Sequence, residues 1–233
     1  MSRTSSADVA LLADVRGLWR VLLAVIAPLP MLAKGVYYLI TPVEGGASYD
    51  ETLAAFTAHE RLAGVLMWLD VVFVVGLVPA TYAVAWVARR GAPRLTTAGA
   101  LVSLLGFLAG VTLLGGVITP AAATVRHDLD PAAMAAFTDA IEGEPLIGVA
   151  GLLFITAVVI GLGLLGGALW RSRYAPAWAG IAIMAGGITH PFLPGSLAQG
   201  IGLLVAAAGF AGASYALLRT PDGGFDLPPA RAS

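Results

Sequence analysis

Six long apolar runs separated by polar clusters organise the chain, at roughly 18–40, 62–88, 95–119, 146–170, 176–194 and 197–218. A helix rising roughly 1.5 Å per residue needs about 20 residues to cross ~30 Å of hydrocarbon, and these runs have that length. The fifth is rich in glycine and is closed by Pro191. The pattern predicts an all-α membrane fold with six transmembrane helices, one domain over 1–219. Over 220–233, Pro221, Gly223, Gly224, Pro228 and Pro229 predict a disordered cytoplasmic tail.

The runs repeat in pairs. The first ends Leu39-Ile40-Thr41-Pro42, the third Val117-Ile118-Thr119-Pro120 and the fifth Gly187-Ile188-Thr189-His190-Pro191. Beyond the first two of these lie Ala54-Ala55-Phe56-Thr57 and Ala135-Ala136-Phe137-Thr138, and the even runs then open with Leu62-Ala63-Gly64 and Leu146-Ile147-Gly148. The simplest organisation is three tandem helical hairpins with the same orientation, related by an axis along the membrane normal. Chance is the alternative, because Ile, Thr and Pro are ordinary residues at helix ends.

Short helices are expected in the two long loops. Ser48 and Glu51 have capping-box spacing, with Leu53 and Phe56 on one apolar side. Asp130 caps a second helix that opens with Pro131 and carries Met134, Phe137 and Ile141 at helical spacing. They are read either as interfacial lids or as packed structural loops.

Composition strengthens the membrane reading: 58 % of residues are hydrophobic and only 12 % charged, where soluble proteins carry about a quarter charged. The mean hydropathy is +0.87. Arg16, Arg20, Arg89, Arg90, Arg94, Arg171, Arg173 and Arg219 mark one side of the bundle, and Glu44, Asp50, Glu51, Glu60, Asp128, Asp130, Asp139, Glu142 and Glu144 the other. Basic residues in short loops stay on the cytoplasmic side, so both termini are expected there. Trp19, Trp86, Trp170 and Trp178 fall at the same inner boundary, where tryptophan prefers to lie. The first sixteen residues lack the pattern of a cleavable signal peptide. A net charge of −1 argues against nucleic acid as a partner. With no cysteine there is neither a disulfide framework nor thiol chemistry. Twelve arginines against one lysine point to a GC-rich bacterial genome, and hence to a multi-pass protein of the bacterial plasma (inner) membrane.

Two charges break the apolar pattern. Lys34 lies six residues before Ile40 and Asp70 eight after Leu62, about 9 and 12 Å inside the outer boundary. Each unpaired would cost about 2.5–3.5 kcal/mol on insertion scales, so the two are expected to pair. Such a pair either fixes the register of the first two helices or marks a hydrated pocket facing outward. Tyr37, Tyr38, Trp68, Thr189, His190 and Gln199 stand at similar heights and are candidates to line it. Pro28, Pro30 and Pro79 free the carbonyls of Ala24, Ile26 and Val75, which favours kinks nearby.

Small residues crowd the later helices: Gly106 and Gly110, Gly163 and Gly167, and the stretch from Ala206 to Ala213. They let backbones approach in lipid, within the bundle or across a homo-oligomer interface. The Ile-Thr-Pro helix ends, the Arg89-Arg90-Gly91-Ala92-Pro93 return and the Gly/Ala-rich even helices resemble a loose group of uncharacterised six-helix integral membrane proteins from high-GC bacteria. The resemblance implies a fold and a location, and carries no catalytic residues with it.

Catalytic signatures are sparse. Asp128 and Asp130 stand alone rather than in the clusters that hold magnesium on a diphosphate, and neither a serine-nucleophile turn nor a P-loop or dinucleotide fingerprint occurs. His59, His127 and His190 lack the spacing of metal ligands, so no metal and no cofactor is expected. The leading expectation is a non-enzymatic membrane protein that binds a small or amphipathic ligand, or helps to translocate one, around Lys34 and Asp70. One alternative is a terpene-cyclase-like enzyme on a lipid or isoprenoid substrate with Asp70 as general acid, aided by Glu60 or His190. Another is an accessory subunit of a membrane complex.

Overall fold

The computed structural model describes residues 13–226, and among them every regular element is a helix. Five helical rods are long and apolar enough to span a membrane: Arg16–Ile40, Glu60–Ala88, Pro93–His127, Pro145–Ser172 and Ser196–Arg219. Their outer faces carry Leu18, Leu105, Leu152 and Leu197, each at least 65 % exposed. Such a belt is compatible with lipid around the bundle.

Three of the rods are interrupted. The first divides into α1 (Arg16–Ile26) and α2 (Leu29–Ile40), at the point where Pro28 and Pro30 lack the N–H groups that Ala24 and Ile26 would receive. After the short α3 (Tyr49–Ala58), α4 (Glu60–Ala88) runs unbroken through Pro79. The third expected helix, 95–119, does not continue to its end. Instead α5 (Pro93–Gly110) passes through a 3₁₀ turn, Val111–Leu113, and a left-handed pair, Gly115 (φ 84°) and Gly116 (φ 31°), into α6 (Ile118–His127). Ile118-Thr119-Pro120 therefore opens a helix, whereas the matching Ile40 closes one. Proline suits both places, since the first turn of a helix and the residues just past its end both leave its missing N–H without cost.

The loop helix α7 (Pro131–Glu142) precedes α8 (Pro145–Thr156), which passes through a π turn at Ala157–Gly161 into α9 (Leu162–Ser172). The fifth apolar run forms α10 (Ala177–Phe192), whose 16 residues reach only about 24 Å. Pro194 disfavours helical backbone at Leu193, which is extended (φ −90°, ψ 129°). The last rod is α11 (Ser196–Arg219).

Chain neighbours are spatial neighbours: α2 packs on α4, α4 on α5, α5 on α8 and α9, α9 on α10, and α10 on α11. Helix α11 then returns to α2 and closes a ring, while α4 also reaches α9 and α11 across the middle. Close approaches occur at particular glycines. A Cβ on Gly209 would stand 2.6 Å from the Ala179 carbonyl oxygen, and one on Gly187 2.6 Å from that of Val158. Gly106 and Gly110 likewise face Leu153 and Phe154. The expectation fails for Gly163, which has open space, and Gly167, which has only ordinary contacts; the tight positions in that rod are Gly161, against Ser103, and Gly166, against Gly180. Ala208 and Ala211 face outward.

Both loop helices start as their caps dictate. Ser48 Oγ accepts the Glu51 N–H at 3.3 Å while Glu51 Oε2 accepts the Ser48 N–H at 2.8 Å. Asp130 Oδ1 accepts the Ala132 N–H at 3.1 Å. Phe56 is fully buried against α4 and α6 neighbours, whereas Phe137 and Ile141 of α7 are 53 % and 41 % exposed. Of the expected tail, 220–233, Asp222–Phe225 form one further helical turn, α12, with the Phe225 ring 5.0 Å from that of Trp86. Residues 227–233 lie outside the described residues.

Candidate functional site

Lys34 lies in the second turn of α2 and Asp70 in the first half of α4, and the packing of these helices brings Nζ to 2.6 Å from Oδ1. The side chains are only 13 % and 12 % exposed. Side chains lean toward a helix N-terminus, so Lys34 is directed away from the C-terminal end of α2, and its contact with α4 turns it into the bundle. Its ammonium also stands 3.8 Å from the centroid of the Tyr37 ring, within reach of that ring's negative face.

The second carboxylate oxygen has a partner of its own. Asp70 Oδ2 accepts the backbone N–H of Gly115 at 3.4 Å. This N–H is available because the helix has unwound there: a regular α-turn would have spent it on the carbonyl four residues back. The break in the third rod thus supplies a donor inside an apolar bundle, where an irregular backbone N–H needs a partner from the protein or from water.

A cavity of about 410 Å³ opens at the acidic end beside this pair. Helix α2 contributes Lys34, Tyr37 and Tyr38, α4 contributes Asp70, and the break contributes Leu113 and the run from Gly115 to Ile118. The loop between α2 and α3 closes over it with Thr41 and Glu44, and α7 brings Glu142. Glu44 is fixed from a distance: its Oε2 accepts both the N–H and the hydroxyl of Ser196, each at 2.9 Å, at the start of α11. A carboxylate there also faces the positive end of that helix.

Four expected site residues, Lys34, Asp70, Tyr37 and Tyr38, therefore converge. His190 sits behind them, its ring 5.3 Å from that of Tyr38 and off the cavity wall. Trp68 does not join them; it is 72 % exposed on another face, beside Arg126 and Gly64. Gln199 is occupied elsewhere, its Nε2 donating to the Leu193 carbonyl at 3.1 Å past the end of α10. Depth along a helix cannot separate these cases, because it says nothing about azimuth. The residues missed from sequence are Glu44, Gly115 and Glu142. The double glycine at 115–116 beside Ile-Thr-Pro was a signal for the break, whereas nothing local marks Glu142. Among the described residues no three His, Asp or Glu side chains gather as a metal site.

Comparison with protein-family models, with curated proteins and with solved structures finds no match to this chain.

Proposed function

We propose that this is a six-span protein of the bacterial inner membrane that binds a small or amphipathic ligand in an outward-facing polar pocket around Lys34 and Asp70, and helps to move it. The observation that carries the reading is the ion pair opening onto a cavity of about 410 Å³, at the lower end of the range of ligand sites. A pair serving only to fix register needs no adjacent volume. In this reading α10, fifth in chain order, also spans and brings the number to six, the three hairpins share one orientation, and the arginine-rich end with both termini is cytoplasmic. Helices α3 and α7 lie at the outer membrane surface, the exposed Phe137 and Ile141 of α7 meeting the headgroup layer. The arrangement fits the resemblance to six-helix proteins of high-GC bacteria.

The enzymatic alternative draws less support. A general acid must present an O–H to its substrate, yet both oxygens of Asp70 are already engaged, Oδ1 by the Lys34 ammonium and Oδ2 by the Gly115 N–H.

Because the chain has no cysteine, single introduced thiols report the pocket directly. Thr41→Cys should react with a membrane-impermeant maleimide in intact cells that have a permeabilised outer membrane, and Arg94→Cys only after lysis. Labelling of Arg94→Cys from outside would reverse the orientation, and no labelling of Thr41→Cys under either condition would remove the pocket.

A further inference from the structure

The charge and wall chemistry of the cavity name the class of ligand. One ammonium, Lys34, lines it against three carboxylates, Glu44, Asp70 and Glu142, a surplus of two negative charges that repels anions. Glu44 is tied to Ser196 and Asp70 to Lys34, whereas Glu142 lies exposed at the end of α7. Aromatic faces add a second attraction for cations, and the protein's own Lys34 Nζ shows where one fits, 3.8 Å from the Tyr37 centroid and 5.4 Å from that of Tyr38. Leu113, Val117 and Ile118 from the helix break supply an apolar wall.

We propose that the pocket takes a small organic cation of the alkylammonium class, drawn by Glu142 and the tyrosine faces, with its alkyl part against the unwound segment after α5. This rests on the pocket reading above. The incoming ammonium competes with Lys34 for Asp70, so Lys34 limits affinity as well as balancing the buried carboxylate. An anionic ligand has the opposite requirement and finds a single, already paired, positive group.

The test is calorimetric titration of the full chain in phosphatidylcholine nanodiscs with butylammonium, butanoate and butan-1-ol, with heats from empty nanodiscs subtracted. Saturable binding of butylammonium and none of butanoate is expected. Glu142→Gln, at an exposed helix end, should weaken butylammonium about fivefold, the size of a single charge contact. Lys34→Met should tighten it. Butanoate binding as well as butylammonium, or an unchanged affinity in Glu142→Gln, overturns the cation assignment. So does failure of all three probes in a protein whose Thr41→Cys variant labels. Failure of that labelling strikes the underlying pocket instead.

Discussion

Asp70 Oδ2 accepts the N–H of Gly115 at 3.4 Å, which couples a charge on the second rod to the unwinding of the third. Gly115 is in the left-handed region at φ 84°, and a Cβ there would collide with Thr119. Gly115→Ala should therefore cost at least about 1–2 kcal/mol. The variant should unfold at lower temperature in detergent and lose probe binding, while Gly116→Ala, with φ 31° and no contact nearer than 4.0 Å, loses less of both.

The Lys34–Asp70 pair is buried enough that removing one partner leaves a charge short of company. Lys34→Met or Asp70→Leu alone should destabilise by about 3 kcal/mol, and the double variant by clearly less than the sum. Denaturant unfolding of the four proteins measures the coupling. Additive losses would mean that the two groups do not interact.

Glycine positions that look alike in sequence should behave differently. Gly209→Ala drives a methyl into the Ala179 carbonyl and should cost about 2 kcal/mol. Gly163→Ala meets open space and should be neutral or stabilising by up to about 1 kcal/mol, from helix propensity alone. Parallel thermal melts distinguish them.

The end of α11 is clasped to α1. Arg20 Nη1 lies 3.0 Å from Asp222 Oδ1 and also donates to the Thr220 carbonyl, while Phe225, 5 % exposed, packs on Trp86. Arg20→Ala or Phe225→Ala should release this turn locally, speeding tryptic cleavage after Arg219 severalfold with little change in the global melt.

Acid should loosen α3 before the bundle. The Ser48 N–H and hydroxyl donate to Glu51 and hold its carboxyl below the usual range. A depressed native pKa gives a contribution that is complete above the unfolded value of about 4.3 and disappears as pH falls through the lower native one. Amide protection at the start of α3, relative to the intrinsic exchange rate at each pH, should fall below about pH 4, and Glu51→Gln should abolish that dependence.

The rods, the loop-helix caps and the ion pair were legible because each follows from local rules: hydrophobic length, capping spacing and the cost of a lone charge in lipid. The break at 111–117 was obscured because its residues are as apolar as the helix around them, and Gly115-Gly116 is one glycine pair among many small residues. Trp68 and Gln199 share the depth of Lys34 but not its face. Glu142 reaches the cavity only through the placement of a loop helix some seventy residues further along the chain than Asp70, a relation that no local pattern encodes.

Closure of the ring through α2 and α11 also sets a timetable. Glu44 waits for Ser196, which lies 152 positions later; at ordinary synthesis rates this delay is on the order of ten seconds. Lys34 and Asp70, only 36 positions apart, can meet long before that, so the inner wall of the cavity is complete in sequence well ahead of the clasp that fixes its rim.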